Sequence, residues 1–79
     1  MYNQIKDFIV ANFLFGDSGK LTGNTPFLES GVVDSTGLLE VIEFVETTFS
    51  ITIEDRELVP GNLNSIDNII RFIQEKNKQ

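Results

Sequence analysis

The chain has 79 residues, 41% of them apolar, a net charge of −6, and neither cysteine nor histidine. A single domain of this size buries only about 60% of its unfolded surface. The missing residue types exclude disulfides, thiolate chemistry, the usual base for a serine nucleophile and the usual zinc ligand.

The acidic balance argues against nucleic acid and anionic membrane surfaces, which are met by clustered Lys and Arg, and favours protein partners with basic docking faces. The N-terminus lacks a basic segment followed by a long apolar one, and no apolar run approaches the roughly 20 residues that span a bilayer. The expectation is one cytoplasmic, monomeric domain over residues 1–79, all-α, with its core made by helix packing.

Tyr2 to Phe13 reads as the first helix. Ile5, Phe8, Ile9 and Phe13 recur at helical spacing on one stripe, with Lys6 and Asp7 facing away. Gly16 and the Asp17-Ser18-Gly19-Lys20 cluster are expected to end it. A long connection, Phe15 to Asp34, follows. Loops of that length are uncommon unless they work or pack, and Phe27, Leu28, Val32 and Val33 supply anchors to lay it across the helices.

The second helix should run from Ser35 to Phe49, with Leu38, Val41, Val45 and Phe49 on the core face. Ser50-Ile51-Thr52-Ile53 alternates like a strand but is too short and unpartnered to make a sheet. Glu54 to Leu58 suits one short turn of helix stopped by Pro60-Gly61. The last helix opens with Ser65 as N-cap and Asp67 in its first turn; Ile66, Ile69, Ile70 and Ile73 form its buried stripe, and Lys76 and Lys78 suit its C-terminal end. Three main helices and one short one describe a small four-helix bundle.

Chemistry concentrates at Asp34-Ser35. Asp34 can cap the second helix, and Ser35 tolerates its first position, so capping alone explains much of the pair. Capping uses Asp34 but does not require Ser35. A helix N-terminus also favours a phosphate, because unpaired N–H groups and the positive end of the dipole meet there. Gly31 and Gly37 either keep the surroundings open or serve the turn and close packing. A serine that the chain cannot activate, held at a helix mouth, reads as an attachment point.

The run Glu29-Ser30-Gly31-Val32-Val33-Asp34-Ser35 resembles the attachment motif of acyl carrier proteins and their peptidyl and aminoacyl relatives. The likeness extends through Phe13-Leu14-Phe15-Gly16-Asp17, Leu38-Leu39-Glu40, Phe44 to Phe49, and Asn62-Leu63-Asn64-Ser65-Ile66. It implies that Ser35 carries 4′-phosphopantetheine, transferred from coenzyme A by a separate magnesium-dependent phosphopantetheinyl transferase, with Asp34 beside the cofactor and metal during loading. The arm's thiol would hold cargo as a thioester, which agrees with a chain that has no thiol and no catalytic residues of its own. Many fatty-acid carriers have leucine after the serine; Thr36 and Gly37 stand here, which looks more like the discrete carriers of specialised acyl or aminoacyl pathways.

Glu40, Glu43 and Glu46 span an arc of about 120° on the second helix, with Leu39 among them and Ile42 at the edge toward the core. Solvation alone accounts for glutamates on a surface helix. An apolar anchor within an acidic field also suits transient docking, and the resemblance gives Thr36, Leu39, Glu40, Ile42, Glu43 and Glu46 that role toward the transferase, acyl- or aminoacyl-activating ligases, and downstream transferases or synthases. The alternative is an unmodified helical interaction or regulatory subunit that uses the same acidic helix. A calcium loop is disfavoured, since Glu54, Asp55 and Glu57 lack the alternating ligands and central glycine of an EF-hand.

Overall fold

Apolar residues at helical spacing give three long helices: α1, Tyr2–Phe13; α3, Ser35–Phe49; and α5, Ile66–Asn77. The computed structural model describes residues 1–14, 19 and 21–77. Gly16, Asp17, Ser18 and Lys20, expected to end the first helix, lie outside the described residues, as does Lys78. Two one-turn helices complete the set, α2 at Phe27–Ser30 and α4 at Pro60–Leu63, together with a 3-10 turn at Asp55–Glu57. The all-α bundle is as expected, and no strand forms among the described residues. The single short helix of the sequence reading becomes three short pieces.

In α1, Ile5 and Ile9 are fully buried, while Phe8 and Phe13 are half-buried. The α1 helix packs against both α3 and α5, and α4 against α5. Val41 and Val45 from α3, Ile66, Ile69 and Ile73 from α5, and Phe27 from α2 close the same core. Phe72 is buried too, beside the isoleucine stripe. The molecule measures 36 × 21 × 19 Å.

The connection before α3 does lie across the helices. Asp67 N–H donates to the Gly23 carbonyl at 2.9 Å, and Phe27 N–H to the Asn64 carbonyl at 2.7 Å. Within it, α2 ends at Gly31, whose φ of 79° lies in the left-handed region and whose N–H closes on the Leu28 carbonyl. Glycine adopts that conformation without the penalty other residues bear. Four residues are too few for helical periodicity to announce α2 in the sequence.

After α3, Ser50 caps the helix in the left-handed conformation at φ 55°. The following extended segment is fastened by Glu46, whose carboxylate accepts from Ile53 N–H at 2.8 Å. The 3-10 turn is closed by reciprocal capping between Glu54 and Glu57. Pro60 does not merely stop that turn: it opens α4 at a first-turn position. There its missing N–H removes no helical hydrogen bond. Ser65 caps α5 as expected, its hydroxyl accepting from Asn68 N–H at 3.1 Å.

Candidate functional site

Ser35 is exposed at the first position of the 15-residue helix α3. Asp34 precedes it in extended conformation, and its carboxylate accepts from Gly37 N–H at 2.6 Å. That bond uses one of the unpaired amides of the first turn, and Leu38 N–H bonds back to the Asp34 carbonyl. The N–H groups of Ser35 and Thr36 have no acceptor among the described residues. Two amides and the positive end of the helix dipole therefore sit beside the Ser35 hydroxyl, an environment suited to a phosphodiester. No side chain among the described residues hydrogen-bonds that hydroxyl.

Two contacts fix this helix mouth. Gly37 is buried, and a Cβ placed on it would stand 2.7 Å from Phe13 Cε1. The first turn of α3 thus presses directly onto the end of α1. On the other side Val33 is buried, with its N–H donating to the Phe27 carbonyl at 3.2 Å. The α2 turn is in turn held by Asn64, whose side-chain oxygen accepts from Leu28 N–H at 3.0 Å and whose amide donates to both Glu29 oxygens at 2.9 and 3.0 Å. Of the two readings of the glycines, turn and close packing describe both: Gly31 supplies the turn and Gly37 the packing.

At about 100° per residue, Thr36, Leu39, Glu40 and Glu43 project to one side of Ser35. Thr36, Glu40 and Glu43 are exposed, and Leu39 is 63% exposed. No cation lies within salt-bridge distance of Glu40 or Glu43 among the described residues. Ile42 is half-buried at the edge. Glu46 departs from the expected arrangement: it is half-buried, and its carboxylate is engaged by the Ile53 amide. An open groove of about 410 Å³ runs along this side between α1 and α3, bounded by Glu40, Glu43, Thr47 and the stacked rings of Phe8 and Phe44, 4.1 Å apart.

A second, more enclosed pocket of about 160 Å³ lies on the opposite side of Ser35. Leu28 of α2, Leu38 and Ile42 of α3, Leu58 and Val59 of the connection, and Leu63 of α4 line it. The sequence did not mark this pocket, because its walls come from four separate segments. Val41, Val45 and Ile66 are fully buried, and Phe44 stacks on Phe8.

Farther away, Lys76 Nζ donates to both Glu57 oxygens at 2.7 and 3.0 Å. That hydrogen bond, with the Glu54 backbone N–H, holds the Glu57 carboxyl below its ordinary range. The Glu54 hydrogen bond and charge raise the Arg56 guanidinium, which is exposed. Among the described residues, no group of three acidic residues is placed to hold a metal ion.

No model of a known protein family matches the chain. Over 72 residues it is 24% identical to a Serratia sp. (strain ATCC 39006) protein described as "Probable acyl carrier protein PigG", covering 91% of this chain and 83% of that one. Among solved structures, a chain from one described as "Crystal structure of FAD-dependent dehydrogenase" matches with a TM-score of 0.76 and 25% identity. That match covers 87% of this chain and 97% of the other. The likeness to the Serratia protein supports a carrier role in general. No helix among the described residues is long and apolar enough to cross a membrane.

Proposed function

We propose that the protein is a discrete acyl or aminoacyl carrier of the cytoplasm, modified on Ser35 with 4′-phosphopantetheine and without catalysis of its own. The observation that carries this reading is an exposed Ser35 at a helix mouth where two amides have no acceptor among the described residues. In loading, the Ser35 oxygen attacks the pantetheine-side phosphorus of coenzyme A. A phosphodiester forms, the pyrophosphate linkage breaks, adenosine bisphosphate leaves, and the serine proton passes to a base of the transferase. The arm then supplies a thiol for thioester chemistry. The amides of Ser35 and Thr36, which have no acceptor among the described residues, would hold the phosphodiester oxygens, and Asp34 would stand beside the transferase's magnesium during loading.

Thr36, Leu39, Glu40, Ile42 and Glu43 form the docking face in this reading, with acids that speed encounter and a leucine that anchors it. Glu46, tied down by Ile53, contributes negative charge. Loading comes from the transferase, and cargo from an acyl- or aminoacyl-activating ligase. A flavin-dependent dehydrogenase is the consumer we favour, because the matched solved chain comes from a structure so described.

Incubating the purified chain with coenzyme A, magnesium and a broad-specificity phosphopantetheinyl transferase tests the proposal. Intact-mass measurement is expected to show one phosphopantetheine on the wild type and none on Ser35→Ala. An unmodified wild type would instead favour an interaction subunit working through the acidic helix.

A further inference from the structure

Among the described residues the interior holds two buried polar residues, Asn64 and Ser65. Ser65 is accounted for by its capping bond at the start of α5. Asn64 is 8% exposed and makes more bonds than a cap requires. Its side-chain nitrogen donates to both Glu29 oxygens at 2.9 and 3.0 Å, and its side-chain oxygen accepts from Leu28 N–H at 3.0 Å. A hydrogen bond adds only about 1 kcal/mol net, so an apolar side chain could fill the same space at little loss. What the amide adds is a single arrangement, because its donor and acceptor are satisfied together only when α2 lies in one place.

That placement reaches Ser35 through a short relay. The Asn64 carbonyl accepts from Phe27 N–H at 2.7 Å, and the Phe27 carbonyl accepts from Val33 N–H at 3.2 Å. Val33 leads directly into Asp34, whose carboxylate and carbonyl take the N–H groups of Gly37 and Leu38. These two bonds close the first turn of α3, and Ser35 opens that turn. A first turn that loses its cap leaves its amides unsatisfied and frays.

Neither side of the clasp is a stable helix by itself. The α2 and α4 helices have four residues each, too few to persist without tertiary contacts. Gly31, which ends α2, has no atom within 4 Å of where a Cβ would stand. Buried Phe27 and Val33 hold this segment by apolar contact. Such contact is non-directional, and the Asn64 bonds supply the direction.

Resting on the carrier reading, we infer that Asn64 is a positioning residue for the loading of Ser35. Its clasp on α2 keeps Val33 and Asp34 where the first turn of α3 stays closed, and the transferase meets the Ser35 hydroxyl in one conformation. The acidic face lies outside the relay. Loss of the clasp therefore lowers the competent fraction of Ser35 and leaves docking intact.

The experiment compares wild type, Asn64→Asp, Glu29→Ala and the combination of Asn64→Asp with Glu29→Gln. Each is assayed at a temperature where circular dichroism shows it folded, using coenzyme A, magnesium and a broad-specificity transferase. Asn64→Asp is expected to lower kcat about tenfold, with KM within about twofold of wild type. Amide exchange at Gly37 and Leu38 should quicken in the same variant. Adding Glu29→Gln reverses the polarity of the clasp while Leu28 N–H keeps an acceptor, and should restore most of the lost kcat. Glu29→Ala alters an exposed residue and leaves the Leu28 bond, so a smaller loss is expected. Wild-type kcat in folded Asn64→Asp, a loss without faster Gly37 exchange, or no recovery in the combination overturns the assignment. If Asn64→Asp does not fold, Glu29→Ala decides alone, and unchanged kcat and exchange overturn it. A wild type that takes up no arm at all counts against the carrier reading itself, so the two failures are separable.

Discussion

Asn64 and Glu29, 35 positions apart in sequence, are joined by a two-pronged hydrogen bond of 2.9 and 3.0 Å from the Asn64 amide to the Glu29 carboxylate. Asn64 is only 8% exposed, and its oxygen and backbone carbonyl also receive the N–H groups of Leu28 and Phe27. One side chain at the α4–α5 junction therefore holds the turn that leads to Ser35.

Removing it should be felt locally first. Asn64→Ala leaves the Leu28 N–H without its acceptor and is expected to lower stability by about 2 kcal/mol. Asn64→Asp should be worse, since it sets a second carboxylate against Glu29. Urea denaturation midpoints check the magnitude. Hydrogen exchange should show the Leu28 amide losing protection before the amides of α5; uniform loss of protection would contradict the local role.

Gly37 offers a reversal of sign. In an exposed helix interior, Gly→Ala gains up to about 1 kcal/mol. Here the added Cβ would meet Phe13 Cε1 at 2.7 Å, Asp34 Oδ1 at 3.1 Å and Val33 Cγ1 at 3.2 Å. Gly37→Ala is therefore expected to destabilise by about 1 kcal/mol through overpacking. In a Phe13→Ala background the same change should become neutral or stabilising. A thermal-melt double-mutant cycle reads the coupling, and additive effects would show that the two residues do not press on each other.

Acid should expose the Glu57–Lys76 pair. The folded carboxyl of Glu57 is depressed, mainly by the hydrogen bond from Lys76. The stabilisation is therefore complete above the unfolded carboxylate pKa of about 4.3 and is lost as pH falls through the lower folded value. Glu57→Gln should be less stable than wild type near neutrality, and the two stability curves should converge under acid. Parallel curves from pH 7 to pH 3 would remove the pair as a contributor.

On the docking face, Glu40→Lys with Glu43→Lys should slow loading of Ser35 without unfolding α3. At low salt a loss in kcat/KM of roughly tenfold is expected from lost electrostatic steering. The gap should narrow as salt rises, because exposed charges are screened over about 8 Å at physiological ionic strength. Transferase kinetics matching wild type at low salt would remove the acids from recognition.

The long helices were legible because each presents apolar residues at 3.6-residue spacing over 12 or 15 positions, enough repeats for the period to stand out. Their bounds at Tyr2, Phe13, Ser35 and Phe49 could be read from that period and from the capping residues. Asp34 as the cap and Ser65 as its counterpart on α5 were legible for the same local reason. Short elements were not: α2 and α4 have four residues each and exist because tertiary contacts hold them. Pro60 illustrates the ambiguity, since a residue that ends one turn is equally suited to begin the next.

Glu46 shows why side-chain roles escape a helical projection. Its place on α3 marks it as solvent-facing, yet the returning chain brings the Ile53 amide within 2.8 Å of its carboxylate. Local chemistry in the chain was sufficient to set the three long helices, the acidic face and a serine at a helix mouth, because these depend on neighbours a few residues away. The apolar pocket, the Asn64 clasp and the fit of Gly37 against Phe13 were decided only when distant segments met, because close packing is a property of surfaces that no single segment contains.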